Sequence, residues 1–328
     1  MSTPLVSITD MGLRFTGQGP GAHSVQAVNQ ISLELAPGEV LGLLGESGSG
    51  KSATLRALLR LYPESRAQLS GQIRIDGQDV RALAGRALAQ YRGGTVSMVF
   101  QEPGVAFDPV YTIGEQIVQT IRAHAPVSQR QARAQALEML ERVQIPQASR
   151  RLDSYPHELS GGMRQRAMIA LALSCKPKLL LADEPTTALD ATVQIQILLL
   201  LRALQKEMNM SVIFVTHDIG AVVEVADRIA VMYAGRIVEQ GAVADIVHRP
   251  LHPYTAGLLA SSVGAANKGA PLQAVPGAPP DMSQPPAGCA FAPRCSRASQ
   301  SCLQQAPPVQ HAEGRVLACW NPLQAVAA

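Results

Sequence analysis

The chain has 328 residues, long enough for one large domain with a smaller one, or for two domains, without cross-links to hold a core together. Apolar residues make up 47% and charged residues 16%, a globular balance that excludes a disordered chain. The net charge of +3 carries no long Lys/Arg run, so no global field marks a nucleic-acid binder, and only a local patch stays open.

No stretch approaches the roughly 18 to 20 consecutive apolar residues needed to cross a bilayer, because the most apolar segments, Leu179–Ala182 and Ile195–Leu201, end in charges. The start Met1-Ser2-Thr3-Pro4 meets Asp10 early and lacks the basic flank and apolar block of a secretory signal. The expected location is therefore the cytoplasm, where disulfides are disfavoured and clustered cysteines more often hold metal.

Taken in chain order, residues 1 to about 262 alternate strand and helix signals, which predicts an α/β sheet covered on its faces. Val40–Leu44 is a short apolar run leading into a glycine-rich turn, and Ala53–Leu61 has helical spacing of apolar residues. Asp76-Gly77 and Ala234-Gly235 sit between apolar stretches as tight hairpin turns. Residues from about 102 to 160 read as a helical insertion, in which Ser128 and Gln131 form a capping box and Leu137, Leu140 and Val143 line one helix face. From Gly264 to Gly288 the chain is dense in Pro, Ala and Gly, a linker with little to bury, and a segment with four of the five cysteines follows. No motif recurs, so the chain carries one nucleotide cassette.

Gly45-Glu46-Ser47-Gly48-Ser49-Gly50-Lys51-Ser52, with Ala53 opening the helix, fits G-x-x-x-x-G-K-S between a predicted strand and a predicted helix. Glycines let backbone N–H groups turn inward around phosphate oxygens, and the helix N-terminus adds a positive dipole end. Lys51 bridges the outer phosphates of ATP, and the Ser52 hydroxyl suits Mg²⁺, which prefers oxygen. Leu179–Ala182 followed by Asp183-Glu184 is a buried strand ending in two carboxylates, as expected where a parallel sheet meets a site. Asp183 is placed on the Mg²⁺ shell and Glu184 on the attacking water.

Leu159-Ser160-Gly161-Gly162-Met163-Arg164-Gln165 resembles the signature of ABC ATPases, a motif that most other phosphate-loop enzymes lack. Its companions stand in order: Gln101 after Val99-Phe100, Thr187-Ala188-Leu189-Asp190 after the acidic strand, and His217 after the apolar strand Val212–Val215. The resemblance covers residues 5 to about 262 and implies a RecA-like P-loop core with an antiparallel β subdomain and a helical subdomain. It also implies a head-to-tail dimer, in which the signature turn Ser160-Gly161-Gly162 of one chain faces the phosphate loop of the other. By the same resemblance Gln101 senses Mg²⁺ and γ-phosphate, His217 braces the γ-phosphate and water, and Asp190 contacts the partner. Phe15 is the adenine-stacking candidate, with a core or hairpin aromatic as the alternative. Cys175 reads as a small buried hydrophobe on the helix after the signature.

Gln101-Glu102-Pro103, Asp108-Pro109, Val110–Gln116, Thr187–Gln194 and Pro250–Thr255 are similar to the dipeptide and oligopeptide importer ATPases, with Asp108 where that family usually has Asn. The resemblance implies ATP-driven import with two integral membrane permease subunits, a second ATPase subunit that is a paralogue, and an extracytoplasmic binding protein acting indirectly. It places the chain peripherally on the cytoplasmic face of the membrane, with residues near Tyr111–Gln116 at the coupling helix and no nucleic acid bound. Dipeptides, longer peptides, glutathione and nickel chelates all stay open as substrates. A soluble ABC protein acting on ribosomes or DNA, or a regulatory nucleotide-binding module, are the alternatives. The first commonly carries paired cassettes or long coiled coils, absent from this sequence, and the second is disfavoured by a full set of catalytic residues.

Cys289, Cys295, Cys302 and Cys319 are spaced C-x5-C-x6-C-x16-C, in a Pro-rich tail expected to need a staple. That spacing matches neither a zinc C-x2-C pair nor the compact ferredoxin run. Resemblance to the importer family's C-terminal extension implies a 4Fe–4S cluster; zinc, free thiols or disulfides are the alternatives. The domain division that follows is an ATPase domain over 1–262 and a linker with Cys-rich extension over 263–328.

Overall fold

A computed structural model describes residues 3–17, 24–186, 189–261, 275–312 and 314–323. Their strands are β1 (Val6–Phe15), β2 (Val25–Leu35), β3 (Val40–Leu44), β4 (Ala67–Ile75), β5 (Gln78–Asp79), β6 (Val96–Val99), β7 (Leu179–Asp183), β8 (Ser211–Thr216), β9 (Arg228–Tyr233), β10 (Arg236–Ala242), β11 (Gln310–Ala312) and β12 (Arg315–Leu317). The chain divides into two compact units, one from the spans 1–35, 40–81 and 216–328, the other from 36–39 and 82–215.

In the first unit β1, β2, β4 and β5 form an antiparallel sheet in the order β2-β1-β4-β5. The turn joining β4 to β5 is Asp76-Gly77, with φ of +52° and +75°, and Ala234-Gly235 joins β9 to β10 with +46° and +77°. Positive φ at both central residues matches the right-handed twist of the flanking strands, which is why the two dipeptides read correctly as hairpin turns. β3 pairs in parallel with β9, and β10 and β12 extend the ladder antiparallel, with β11 beyond. All five residues of β3 are buried, the continuous apolar run that a strand covered on both faces requires.

The second unit carries β6, β7 and β8 in parallel, each running toward the same edge. Helices Pro103–Ala106, Ile113–His124, Gln129–Arg142 and Ala148–Arg151 fill the span read as a helical insertion. Ser128 Oγ accepts the Gln131 N–H while the Gln131 side chain accepts the Ser128 N–H, so the expected capping box is present. A second box, Thr112 with Glu115, starts Ile113–His124. Helix Gln129–Arg142 buries Ala132, Ala136, Met139 and Leu140; Leu137 is only half-buried, because its position is one residue, about 100°, round from the Ala132–Ala136 row.

The tail departs from expectation. Residues 262–274, which include the first part of the predicted linker, lie outside the described residues. From 275 onward the chain packs: the Met282 carbonyl accepts the Gln26 N–H, and Phe291, Cys302, Leu317 and Cys319 are buried. β12 joins β10 in register Glu239↔Leu317 and Gln240↔Val316. At the same place Arg315 pairs with Glu239, both buried, and Glu239 also accepts the N–H groups of Leu251 and His252. Sheet extension, apolar burial and ion pairs thus hold the described part of the tail. No described helix is long and apolar enough to cross a membrane.

Candidate active site

In the first unit, β3 delivers the chain to Gly45 and helix Lys51–Leu58 carries it away. The loop between them admits no other residue type at two points. A Cβ on Gly45 would lie 2.2 Å from the Met232 carbonyl oxygen, and one on Gly50, at φ +102°, would lie 2.4 Å from the Ala27 carbonyl oxygen. Lys51 folds back into this loop: its Nζ donates to the carbonyls of Gly45 at 2.7 Å and Glu46 at 2.8 Å, and lies 3.4 Å from Ser49 Oγ. The ammonium is buried inside a ring of oxygens at a helix N-terminus, where a phosphate would exchange one set of acceptors for another. Ser47 and Gly48 are exposed, and Ser52 and Ala53 are half-buried in the first helical turn. His217 follows β8 and is exposed, beside Asp218, whose carboxylate caps the next helix at the Gly220 N–H.

In the second unit, β7 ends on Asp183, which is fully buried, and Glu184 follows at φ +44° with its N–H on the Val215 carbonyl at 2.9 Å. A left-handed glutamate is a strained backbone, held by the strand before it and the bond across to β8. Gln101, just past β6, donates from Nε2 to Glu184 Oε2 at 3.4 Å, so the parallel strands bring the glutamine and the acid together. Ser160 caps helix Gly161–Leu173 by accepting the Met163 N–H on Oγ at 3.3 Å, and Ser160 and Gly161 are exposed. The signature turn therefore offers N–H groups and a dipole end to the outside. Leu159 is buried beneath it and its carbonyl holds Arg164. Asp190 caps helix Ala191–Met208 through the Val193 N–H, a role that the sequence reading did not give it. Thr187 and Ala188, quoted in the family motif, lie outside the described residues.

Phe15, at the end of β1, packs edge-on against Tyr62 with centroids 4.9 Å apart and stays half-buried. Cys175 is not on the signature helix but past its end, half-buried, with Sγ 3.7 Å from the Thr120 carbonyl and burial pushing its thiol up. The four tail cysteines form no disulfide. Burial pushes the thiols of Cys289, Cys295 and Cys319 up, Cys319 to about 11, with neighbouring tail sulfurs a smaller cause. Among the described residues no group of three or more His, Cys, Asp or Glu side chains is arranged to hold a metal ion. The donors are of the right kind, but nothing in this arrangement supports the 4Fe–4S expectation. Two contacts of the phosphate loop escaped the sequence reading: Tyr254 Oη accepts the Glu46 N–H, and Arg294 pairs with the Glu46 carboxylate. No local pattern announces either.

A helix opening on Ser-Gly-Gly is what separates this molecule from other phosphate-loop enzymes, and with the sheet described above it defines an ATP-binding cassette. Residues 28–187 match the ABC transporter model, and residues 238–302 match the model of the oligopeptide/dipeptide transporter C-terminal region. A putative peptide import ATP-binding protein of Brucella abortus is 47% identical over 97% of this chain and 95% of its own. The probable D,D-dipeptide transport ATP-binding protein DdpD of Escherichia coli is 45% identical over 99% of both. Among solved structures, the dimeric post-hydrolysis cassette MJ0796 bound to ADP and Pi is similar at a TM-score of 0.63 and 28% identity, over 73% of this chain and 98% of that one. The chain belongs to the ABC transporter ATP-binding subunits of the dipeptide/oligopeptide importer family, and is an ATPase that powers such an importer.

Proposed function

We propose that this chain drives uptake of dipeptides or longer peptides from the cytoplasmic face of the membrane, as a peripheral subunit beside two permease subunits and a paralogous ATPase. The peptide class rests on the names of its relatives, and the binding protein outside sets selectivity. Residues 1–262 form the ATPase domain, with helical subdomain 102–160, and 263–328 form the extension. ATP is held by Gly45, Glu46, Ser47, Gly48, Ser49, Gly50, Lys51, Ser52 and Ala53, chiefly through backbone N–H groups and the Lys51 ammonium. Mg²⁺, a hard cation, suits the Ser52 hydroxyl, Gln101 and Asp183. Glu184 orients the water and takes its proton, Gln101 holds Glu184 and reports γ-phosphate, and His217 braces that phosphate. The signature turn Ser160, Gly161 and Gly162 seals the ATP held by the partner, with Asp190 in contact across the interface; Phe15 stacks on adenine. Val110 and Tyr111, 68% and 51% exposed on the second unit, supply the apolar surface that a coupling helix needs.

The observation that carries the reading is Lys51 drawn into a glycine loop at a helix start, poised for phosphate. Glu184→Gln is expected to bind ATP and lower turnover by about a hundredfold or more, the size of a general-base contribution, whereas Lys51→Ala loses ATP binding. Undiminished turnover in both variants overturns the site. Co-purification with integral membrane subunits tests the transporter reading against a ribosome- or DNA-bound one. The 4Fe–4S cluster rests on resemblance alone, and colourless, iron-free protein after anaerobic purification removes it.

A further inference from the structure

We propose that the C-terminal extension sets the affinity of the phosphate loop for nucleotide, with Arg294 as a positioning residue that neutralises Glu46. The inference rests on the reading that this loop holds ATP. Arg294 meets the Glu46 carboxylate as a fork, Nη1 to Oε2 at 2.7 Å and Nη2 to Oε1 at 2.9 Å, two parallel charge-assisted bonds with fixed geometry. The guanidinium is itself held on every side. Its Nε donates to the Pro276 carbonyl at 2.7 Å, Nη2 to the Val275 carbonyl at 3.2 Å and Nη1 to the Tyr233 hydroxyl at 3.2 Å. It lies 5.7 Å from the Tyr233 ring centre and 5.9 Å from that of Phe291, within cation–π range. Its side chain is only 5% exposed, so this is not a surface ion pair of negligible worth.

Glu46 is the second residue of the loop, and each of its polar groups is taken. The N–H goes to Tyr254 Oη at 2.9 Å, the carboxylate to Arg294, and the carbonyl accepts from Lys51 Nζ at 2.8 Å. Tyr254 and Arg294 both lie within the matched C-terminal transporter region, beyond the stretch that matches the ABC model. Arg294 of the extension, with Tyr254 near the end of the ATPase domain, therefore grips the residue that the nucleotide-binding lysine itself leans on. Charge gives the contact its sign. A carboxylate on a loop built for a polyanion repels that polyanion, and a guanidinium bound to it cancels most of the repulsion. Removing Arg294 leaves Glu46 both unheld and uncompensated. Removing the charge of Glu46 as well takes away the repulsion.

The test is ATP affinity of the full-length protein by fluorescent-nucleotide titration, with KM and kcat measured in the assembled transporter and thermal melts confirming the fold. Arg294→Ala is expected to raise Kd and KM for ATP about tenfold with kcat nearly kept, and Arg294→Lys to fall between, since it restores charge without the fork. The double variant Arg294→Ala/Glu46→Gln is expected to regain affinity to within about threefold of the parent. A merely structural arginine gives no such rescue, so a double variant no better than Arg294→Ala overturns the proposal, as does an unchanged Kd in Arg294→Ala. If Arg294→Ala fails to fold, Arg294→Lys and Arg294→Gln, alone and with Glu46→Gln, decide on the same terms. Lys51→Ala separates the two readings: ATP binding kept there removes the nucleotide site itself, whereas loss there with an unchanged Arg294→Ala removes only the role of the extension.

Discussion

Gly50 meets two demands at once, a left-handed backbone and a carbonyl 2.4 Å from where a Cβ would stand. Gly50→Ala is expected to cost roughly 2 kcal/mol or more and to abolish ATP binding, checked by urea denaturation and nucleotide titration. Glu184 shows the converse, a side chain kept at φ +44° where glycine is at ease. Glu184→Gly is expected to leave the denaturation midpoint unchanged or higher while turnover falls at least about a hundredfold, a trade of stability for chemistry. Both residues were legible in the sequence, because the phosphate loop and the acidic strand end are contiguous and each residue type answers a local need. Arg294 was not. It stands 248 residues from Glu46, and nothing about an arginine between a proline and a cysteine says which acid it meets.

At the level of elements, turns and caps were readable because their chemistry is short-range. Asp76-Gly77, Ala234-Gly235 and Ser128 with Gln131 each satisfy a backbone requirement within four residues. The tail was read as needing a staple, but its sheet pairing was not foreseen, because β11 and β12 are three residues each, too short for any alternation to register. Their anchor is Glu239, buried with Arg315. Arg315→Ala strands that carboxylate and is expected to cost about 3 to 5 kcal/mol in chemical denaturation, far more than an exposed pair. His252, next to it, is buried, accepts the Tyr254 N–H on Nδ1, and has its pKa pulled by desolvation from 6.5 to about 3. Above about pH 6.5 the ring is neutral in both states and contributes nothing to pH dependence. Below it the unfolded chain takes a proton that the folded chain refuses, so stability declines on acidification toward the folded value. Denaturation midpoints measured between about pH 7 and pH 5 are expected to fall for the parent and to fall less for His252→Asn.

For the whole molecule, the proposed site needs the partner's signature turn, so turnover per chain in an equimolar mixture with the paralogous ATPase is expected to rise with protein concentration until pairs are saturated. Strict proportionality of rate to protein over a hundredfold dilution, about the span of a weak dimer constant, overturns this. Cassette architecture was readable from motif order. How the extension serves it was not, because that depends on contacts between chain segments far apart in sequence.

The short hairpin at the end of the chain also has a protective consequence. By lying against Glu239 and Gln240 it occupies the flank of β10, and leaves as the outermost strand only three residues of β11. Chains clipped before residue 310 would bare the amide and carbonyl row of β10 to any passing strand. Such fragments are expected to precipitate on standing in a concentration-dependent way, visible by light scattering, while the intact protein stays clear.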